Sequence, residues 1–299
     1  MTFQRVGLVG YGEVGRIFGS GLRPQVAQVS TWDLRLVAPE HRAVALDHAR
    51  QAGVLACASL QALCAESSLV ISAVTASNTL AVAREAAACL RPGTFFLDLN
   101  SASPGTKQAA ASLIEAAGGF YVEAGVMTSV PPFGIRVPML LGGSRAAELA
   151  PVLQGWGMDA TVVSDRLGVA SAIKMCRSVM IKGLEALVIE SYATARAYGV
   201  EEHMIPTLAE TFPSIDWHKQ GAYFFSRVVQ HGQRRAEEMR EAANTVREAG
   251  FEPFMASAIA DKQQWVADQS RAGCFAGVKP GARWQDYADP LLAGRTSTS

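Results

Sequence analysis

The chain lacks an excess of charge of either sign and has no long apolar run. Lys+Arg and Asp+Glu both number 27, and neither the first 165 residues nor the remainder departs from neutrality by more than one charge. That leaves no basic face for nucleic acid or for an anionic membrane. No stretch of about 18 apolar residues is present to span a bilayer. Cysteine is sparse and scattered: Cys57, Cys64, Cys89, Cys176 and Cys274 form no CxxC and are odd in number. This excludes a disulfide framework and a structural zinc centre, and points to a reducing compartment. A signal peptide does not fit, because a strand-like segment begins within six residues of Met1. The expected location is the cytoplasm, no metal is expected, and by elimination the partner is a small neutral or acidic metabolite.

What is present is core-forming material. Of 299 residues, 49% are hydrophobic and 18% charged, which suits two folded domains. Short apolar runs (4–10, 26–33, 68–74, 94–99, 120–122, 137–142, 160–163) alternate with Ala-rich helical stretches (13–23, 39–51, 78–90, 104–117, 144–155). Such alternation predicts a parallel sheet covered on both faces by helices. After Gly168 the pattern changes. Residues 169–198 contain no proline and only Gly183, and predict one helix about 45 Å long. Further helices are expected over 202–211, 217–230, 233–249 and 253–269, with weak patterning from about Gly277. The reading is a Rossmann-like α/β N-terminal domain (1–165), a long interdomain helix, and an all-α C-terminal domain (166–299).

Gly10-Tyr11-Gly12-Glu13-Val14-Gly15 matches G-x-G-x-x-G, with a strand before it, a helix after it, and Asp33 18 positions beyond the last glycine. The spacing has a chemical reason. Gly10 permits the tight turn, Gly12 lets backbone approach a pyrophosphate, and Gly15 lets helix and sheet pack closely. The helix start then offers N–H groups and a positive dipole end to phosphates. Asp33, ending the second strand, suits the ribose hydroxyls of NAD, whereas Arg35 is placed to pair the 2′-phosphate of NADP. The balance leans slightly to NAD. Ala73 and Val74, at the end of the 68–74 strand, and Asn100 complete the candidate cofactor contacts.

On the long helix, Ser171, Lys174, Arg177 and Ser178 share a stripe at i, i+3, i+6 and i+7. Facing an interdomain cleft, Lys174 would exchange a proton with a substrate hydroxyl, with burial and Arg177 both favouring its neutral form. A solvated stripe with snorkelling cations is the competing reading.

Three segments together resemble the β-hydroxyacid dehydrogenase family, which includes hydroxyisobutyrate and phosphogluconate dehydrogenases and, more distantly, imine reductases. They are the glycine loop; Tyr121 to Ser129, similar to Asp-x-Pro-Val-Ser-Gly-Gly; and Gly168 to Ser178, similar to G-x-G-x-x-x-K-x-x-N-N. Asp98-Leu99-Asn100-Ser101 resembles the family's Asp-x-Ser-Thr, which sits beside nicotinamide and substrate. The resemblance covers residues 4–190 and implies Lys174 as the catalytic lysine, substrate contacts from Ser101, Met127, Thr128, Ser129, Arg177 and Ser178, and a dimer joined through the helical domains. The later helices resemble a subgroup with a less familiar helical C-terminal domain.

The chain departs from the family pattern at Met127-Thr128-Ser129 in place of Ser-Gly-Gly, at Arg177-Ser178 in place of paired asparagines, and at Glu237-Glu238 in place of Lys-Asp. A guanidinium at 177 suits an anionic substrate group. The expected activity is hydride transfer between NAD(P) and a hydroxy acid or its oxo form. An imine or enamine reductase and a non-catalytic dinucleotide-binding sensor are the rival readings. Among weaker signals, His218 reads as a capping or packing residue. Tyr223, Phe224 and Phe225 read as dimer packing, and Phe251, Phe254 and Trp265 as core or dimer contacts. Arg234 to Glu238 reads as a solvated face.

Overall fold

A computed structural model describes residues 1–293. The chain forms two compact units, the first from Met1 to Cys176 and the second from Arg177 onward.

In the first unit, strands β1 (Arg5–Val9), β2 (Gln28–Trp32), β3 (Leu55–Ala56), β4 (Leu69–Ser72), β5 (Phe95–Asp98), β6 (Phe120–Val126), β7 (Met139–Gly142) and β8 (Ala160–Ser164) form one sheet in the order β3-β2-β1-β4-β5-β6-β7-β8. The helices of this unit are α1 (Glu13–Leu22), α2 (Pro39–Gln51), α3 (Leu60–Glu66), α4 (Thr79–Ala87), α5 (Pro104–Ala116) and α6 (Ala146–Gly155). Val6, Leu8, Leu69, Ile71, Phe95 and Leu97 belong to one buried cluster, while Val9, Val70, Phe96 and Tyr121 belong to another. A sheet buried on both faces explains why its strands read as continuous apolar runs rather than alternating ones.

The sheet departs from the sequence expectation at one place. β6 and β7 pair antiparallel, with Glu123 opposite Gly142 and Val126 opposite Met139. The connection between them contains no crossover helix, only a 3-10 turn at Gly134–Arg136, and without a crossover the chain returns beside the strand it left. β6 also runs to Val126, four residues past its expected end. The short β3 and α3 went unpredicted; each is too brief to show a period.

Helix α7 (Val169–Tyr198) has the expected bounds. It carries an exposed apolar row at heptad spacing, Ile173, Met180 and Leu187, the last two 66% and 55% exposed. The second unit adds α8 (Glu201–Thr211), α9 (Trp217–Glu248), α10 (Phe254–Arg271) and α11 (Trp284–Ala293). Its core is aromatic. Tyr192 meets Trp284 edge-on at 4.9 Å, and Phe225 stacks on Tyr287 at 6.1 Å.

Three expectations are corrected here. The break expected near residues 230–233 is absent, and α9 runs through it. Gly232 lies against α10, where a Cβ would stand 2.9 Å from the Gln263 carbonyl, so this glycine serves close packing and not a turn. The weakly patterned tail contains α11, held by burial of Trp284 and Tyr287. The presumed solvated face on α9 is partly interior: Arg235 is buried and grips Glu185 with two nitrogens, the Nε–Oε2 bond being 2.8 Å. Glu238 takes Lys182 Nζ at 2.6 Å. Of the aromatics, Phe225 is core, whereas Phe251 and Phe254 are more than two-thirds exposed. His218 is exposed beside the α9 cap, which Asp216 supplies.

Candidate active site

Strand order reverses between β1 and β4, where a doubly wound sheet opens a crevice beyond the carboxyl ends of its strands. The loops after β1, β4 and β5 meet there. Gly10 has φ +96°, and a Cβ on it would lie 2.4 Å from the Ala73 carbonyl oxygen. A Cβ on Gly15 would lie 1.9 Å from the Gly10 oxygen. Gly12 is different, since the nearest group to its missing Cβ is the Arg35 guanidinium, at 3.1 Å. Gly12 also stands at the cap position of α1 with no side chain capping it. A helix start left without a side-chain cap beside a guanidinium is a cradle for a diphosphate, so these residues fit the dinucleotide the loop implies.

Asp33 joins two loops. Its Oδ2 accepts from Tyr11 N at 2.5 Å and its Oδ1 from Arg35 N at 2.7 Å. Each oxygen keeps acceptor capacity for a ribose hydroxyl. The Tyr11 side chain points inward, fully buried, with its hydroxyl 3.1 Å from His48 Nδ1; burial raises its pKa, with Arg16 opposing. Only the backbone of Tyr11 therefore takes part in the loop. Glu13 is exposed and Val14 half-buried. Asn100 ties the neighbouring loops together, accepting from Val74 N at 2.7 Å and donating to Ser72 Oγ at 3.0 Å.

Ser101 follows β5, and Lys174 Nζ donates to its Oγ at 2.5 Å. Two buried carboxylates, at matching register on β5 and β6, stand behind this pair. Asp98 accepts from Lys107 Nζ at 2.9 Å, Tyr121 hydroxyl at 2.5 Å and Asn100 N at 2.8 Å. Burial pushes the Tyr121 hydroxyl well above its ordinary pKa, and Asp98 and then Glu123 add to the effect. Glu123 is wholly buried and caps α7: Oε1 accepts from Gly168 N at 2.7 Å and Ala170 N at 3.1 Å, and Oε2 from Ser171 N at 3.3 Å. Sequence reasoning assigned no role to Lys107, and took in Tyr121 and Glu123 only as part of the Tyr121–Ser129 resemblance. A lysine among the alanines of α5 and an acid within an apolar strand were the available signals.

The remaining candidates differ in exposure. Met127, Thr128 and Ser129 directly follow β6, with Met127 and Ser129 half-buried and Thr128 exposed. Ser171 is buried and donates to the Gly168 carbonyl at 3.1 Å, a helix-start role. Arg177 and Ser178 belong to the second unit. There Arg177 is exposed, and Ser178 is buried with its Oγ 3.4 Å from Lys182 Nζ.

Comparison with known proteins bears on the family and the fold. The NAD binding domain of 6-phosphogluconate dehydrogenase matches residues 5–164, and a domain of unknown function (DUF1932) matches residues 195–266. A conserved hypothetical protein from Sinorhizobium meliloti 1021 is 35% identical with a TM-score of 0.75, the match covering 97% of this chain and 96% of that one. The conserved protein MTH1747, of unknown function and structurally similar to 3-hydroxyacid dehydrogenases, is 32% identical with a TM-score of 0.67, covering 90% and 98%. The 3-hydroxyisobutyrate dehydrogenase of Mycobacterium tuberculosis, solved with L-serine, shares the fold at 17% identity and a TM-score of 0.71, covering 99% and 100%.

Proposed function

This chain belongs to the β-hydroxyacid dehydrogenase family, and from that premise we propose that it transfers a hydride between NAD(P) and a small anionic hydroxy acid, or its oxo form. The observation that carries the proposal is the Lys174–Ser101 pair, 2.5 Å apart at the end of β5 in an NAD(P)-binding domain. When bound, the nicotinamide supplies a hydride acceptor.

The chain's own residues do the rest. Gly10, Gly12 and the start of α1 would hold the diphosphate, with Gly15 letting the helix pack closely, and Asp33 would take the ribose hydroxyls. Arg35, beside Gly12, contributes a cation that also tolerates a 2′-phosphate. In the oxidative direction the carbinol C–H bond breaks as hydride leaves, the O–H bond breaks as Lys174 Nζ takes the proton, and the carbon–oxygen double bond forms. Ser101 Oγ, already bonded to Nζ, orients the substrate oxygen and fixes the near-attack geometry. Thr128 and Ser129 offer hydroxyls beyond β6. Arg177, one turn further along α7 than Lys174, is the proposed partner of the anionic group, and Ser178 an accessory to it. The exposed Ile173, Met180 and Leu187 row suits a homodimer.

The test is a fluorescence titration with NADH and NADPH, followed by a screen of hydroxy acids with the preferred cofactor. Tight binding with turnover is expected, with a modest preference for NAD. Binding without turnover of any hydroxy acid would transfer the case to imines or to a sensor, and absence of binding would overturn the reading of Gly10–Gly15.

A further inference from the structure

We infer that Glu123 is the positioning residue for Lys174, setting both the place and the proton affinity of its amine from the strand side; this rests on Lys174 being the proton acceptor. The argument begins with helix ends. The first N–H groups of α7 have no partners within the helix and carry the positive end of its dipole. Most helices meet this need with a local Ser, Thr, Asp or Asn. Here the cap comes from a strand 45 residues earlier, and one carboxylate takes two of those N–H groups, Ala170 N and Ser171 N, together with Gly168 N just before the helix. Ser171, the last of them, precedes Lys174 by a single turn.

The surrounding residues are arranged for this contact. Gly142, opposite Glu123 on β7, leaves the room its side chain occupies, since a Cβ there would stand 2.6 Å from Oε1. Gly125, two residues along the same face of β6, lets α7 approach. A Cβ on it would be 3.0 Å from the Ala170 oxygen and 3.5 Å from Lys174 Cβ. Strand β6 thus touches α7 at its start and again at Lys174 itself. On β5 the register neighbour Asp98 holds the loop carrying Ser101 through Asn100 N. Each member of the Lys174–Ser101 pair is therefore tied to a buried carboxylate, and the two carboxylates sit side by side on adjacent strands.

The electrostatic consequence has a definite sign. The positive end of a helix disfavours a nearby ammonium, and the charge on Glu123 opposes that effect. Neutralising Glu123 makes the Lys174 amine lose its proton at lower pH, whereas a purely structural cap leaves its titration where it was.

The experiment is pH-dependent acylation of the full-length protein with acetic anhydride, without cofactor or substrate, following Lys174 by peptide mass spectrometry. In Glu123→Gln the labelling midpoint is expected to fall by at least about half a pH unit. Glu123→Asp should show a smaller fall, and Glu148→Gln, a change at an exposed acid paired with Arg145, none. With an active substrate, kcat should fall in Glu123→Gln while dinucleotide affinity stays within about twofold. Should Glu123→Gln fail to fold, Glu123→Asp carries the measurement. An unmoved midpoint in the folded variants, accompanied only by lower melting temperature, overturns the inference. A shifted midpoint in a protein that turns over no hydroxy acid keeps Glu123 in this role and removes the dehydrogenase reading instead.

Discussion

Lys107→Met isolates the contribution of the buried ion pair beneath the Ser101 loop. Lys107 is fully buried, with Nζ 2.9 Å from Asp98 Oδ1 and 3.0 Å from the Asp98 carbonyl oxygen. Methionine keeps its apolar stem, one atom shorter, and removes the charge. Asp98 then keeps the Tyr121 hydroxyl and Asn100 N–H as donors but has no counter-charge. Breaking a buried pair from one side costs about 3–5 kcal/mol, because the other charge is left uncompensated. At about 2–4 °C per kcal/mol for a body of this size, the first unit should melt roughly 6–20 °C lower. The double variant Lys107→Met/Asp98→Asn removes both charges and keeps an amide oxygen for Asn100 N, so it should regain part of the loss, a coupling on the order of 1–3 kcal/mol. Differential scanning calorimetry of wild type, both singles and the double measures this. A loss under about 1 kcal/mol in Lys107→Met, or a double variant as unstable as the sum of the singles, would refute the view that this pair is worth its burial only as a pair.

Three further outcomes follow from the same geometry. Asp33→Ala should weaken NAD more than NADP, by roughly tenfold for a lost charge-assisted bond, read by the two fluorescence titrations; an unchanged ratio would move the preference to Arg35. Arg235→Met should cost about 3–5 kcal/mol by stranding the buried Glu185, with urea denaturation followed by tryptophan fluorescence as the check, since Trp217, Trp265 and Trp284 lie in the second unit. Met180→Glu with Leu187→Glu should reduce a dimer to monomer in sedimentation velocity while leaving NADH affinity unchanged, and a dimer that survives both changes would place the interface elsewhere.

The parts of the fold that could be read in advance are those where one local rule dominates. The glycine loop was legible because three glycines, a strand, a helix and an acid coincide at fixed spacing, and α7 because 30 residues pass without a proline and with a single glycine. The parts that escaped depend on contacts distant in sequence. The cap on α7 is supplied from residue 123, and no window around Gly168 reveals it. Gly232 looks like a break until α10 lies against it, and α11 becomes a helix through burial of Trp284 and Tyr287. The antiparallel β7 follows from a connection without a crossover helix, whereas the run of alternating strands and helices before it signals parallel pairing. At the site, Lys174 and Ser101 were each marked by a motif, and their direct bond needed the fold.

The measurement that bears most directly on the central claim is the kinetics of Lys174→Ala with the preferred cofactor and the best hydroxy acid from the screen. Removal of the proton acceptor should lower kcat by at least about 100-fold, with the dissociation constant for NADH within about twofold of wild type. Turnover close to wild type in that variant would contradict the account, whatever the cofactor affinity.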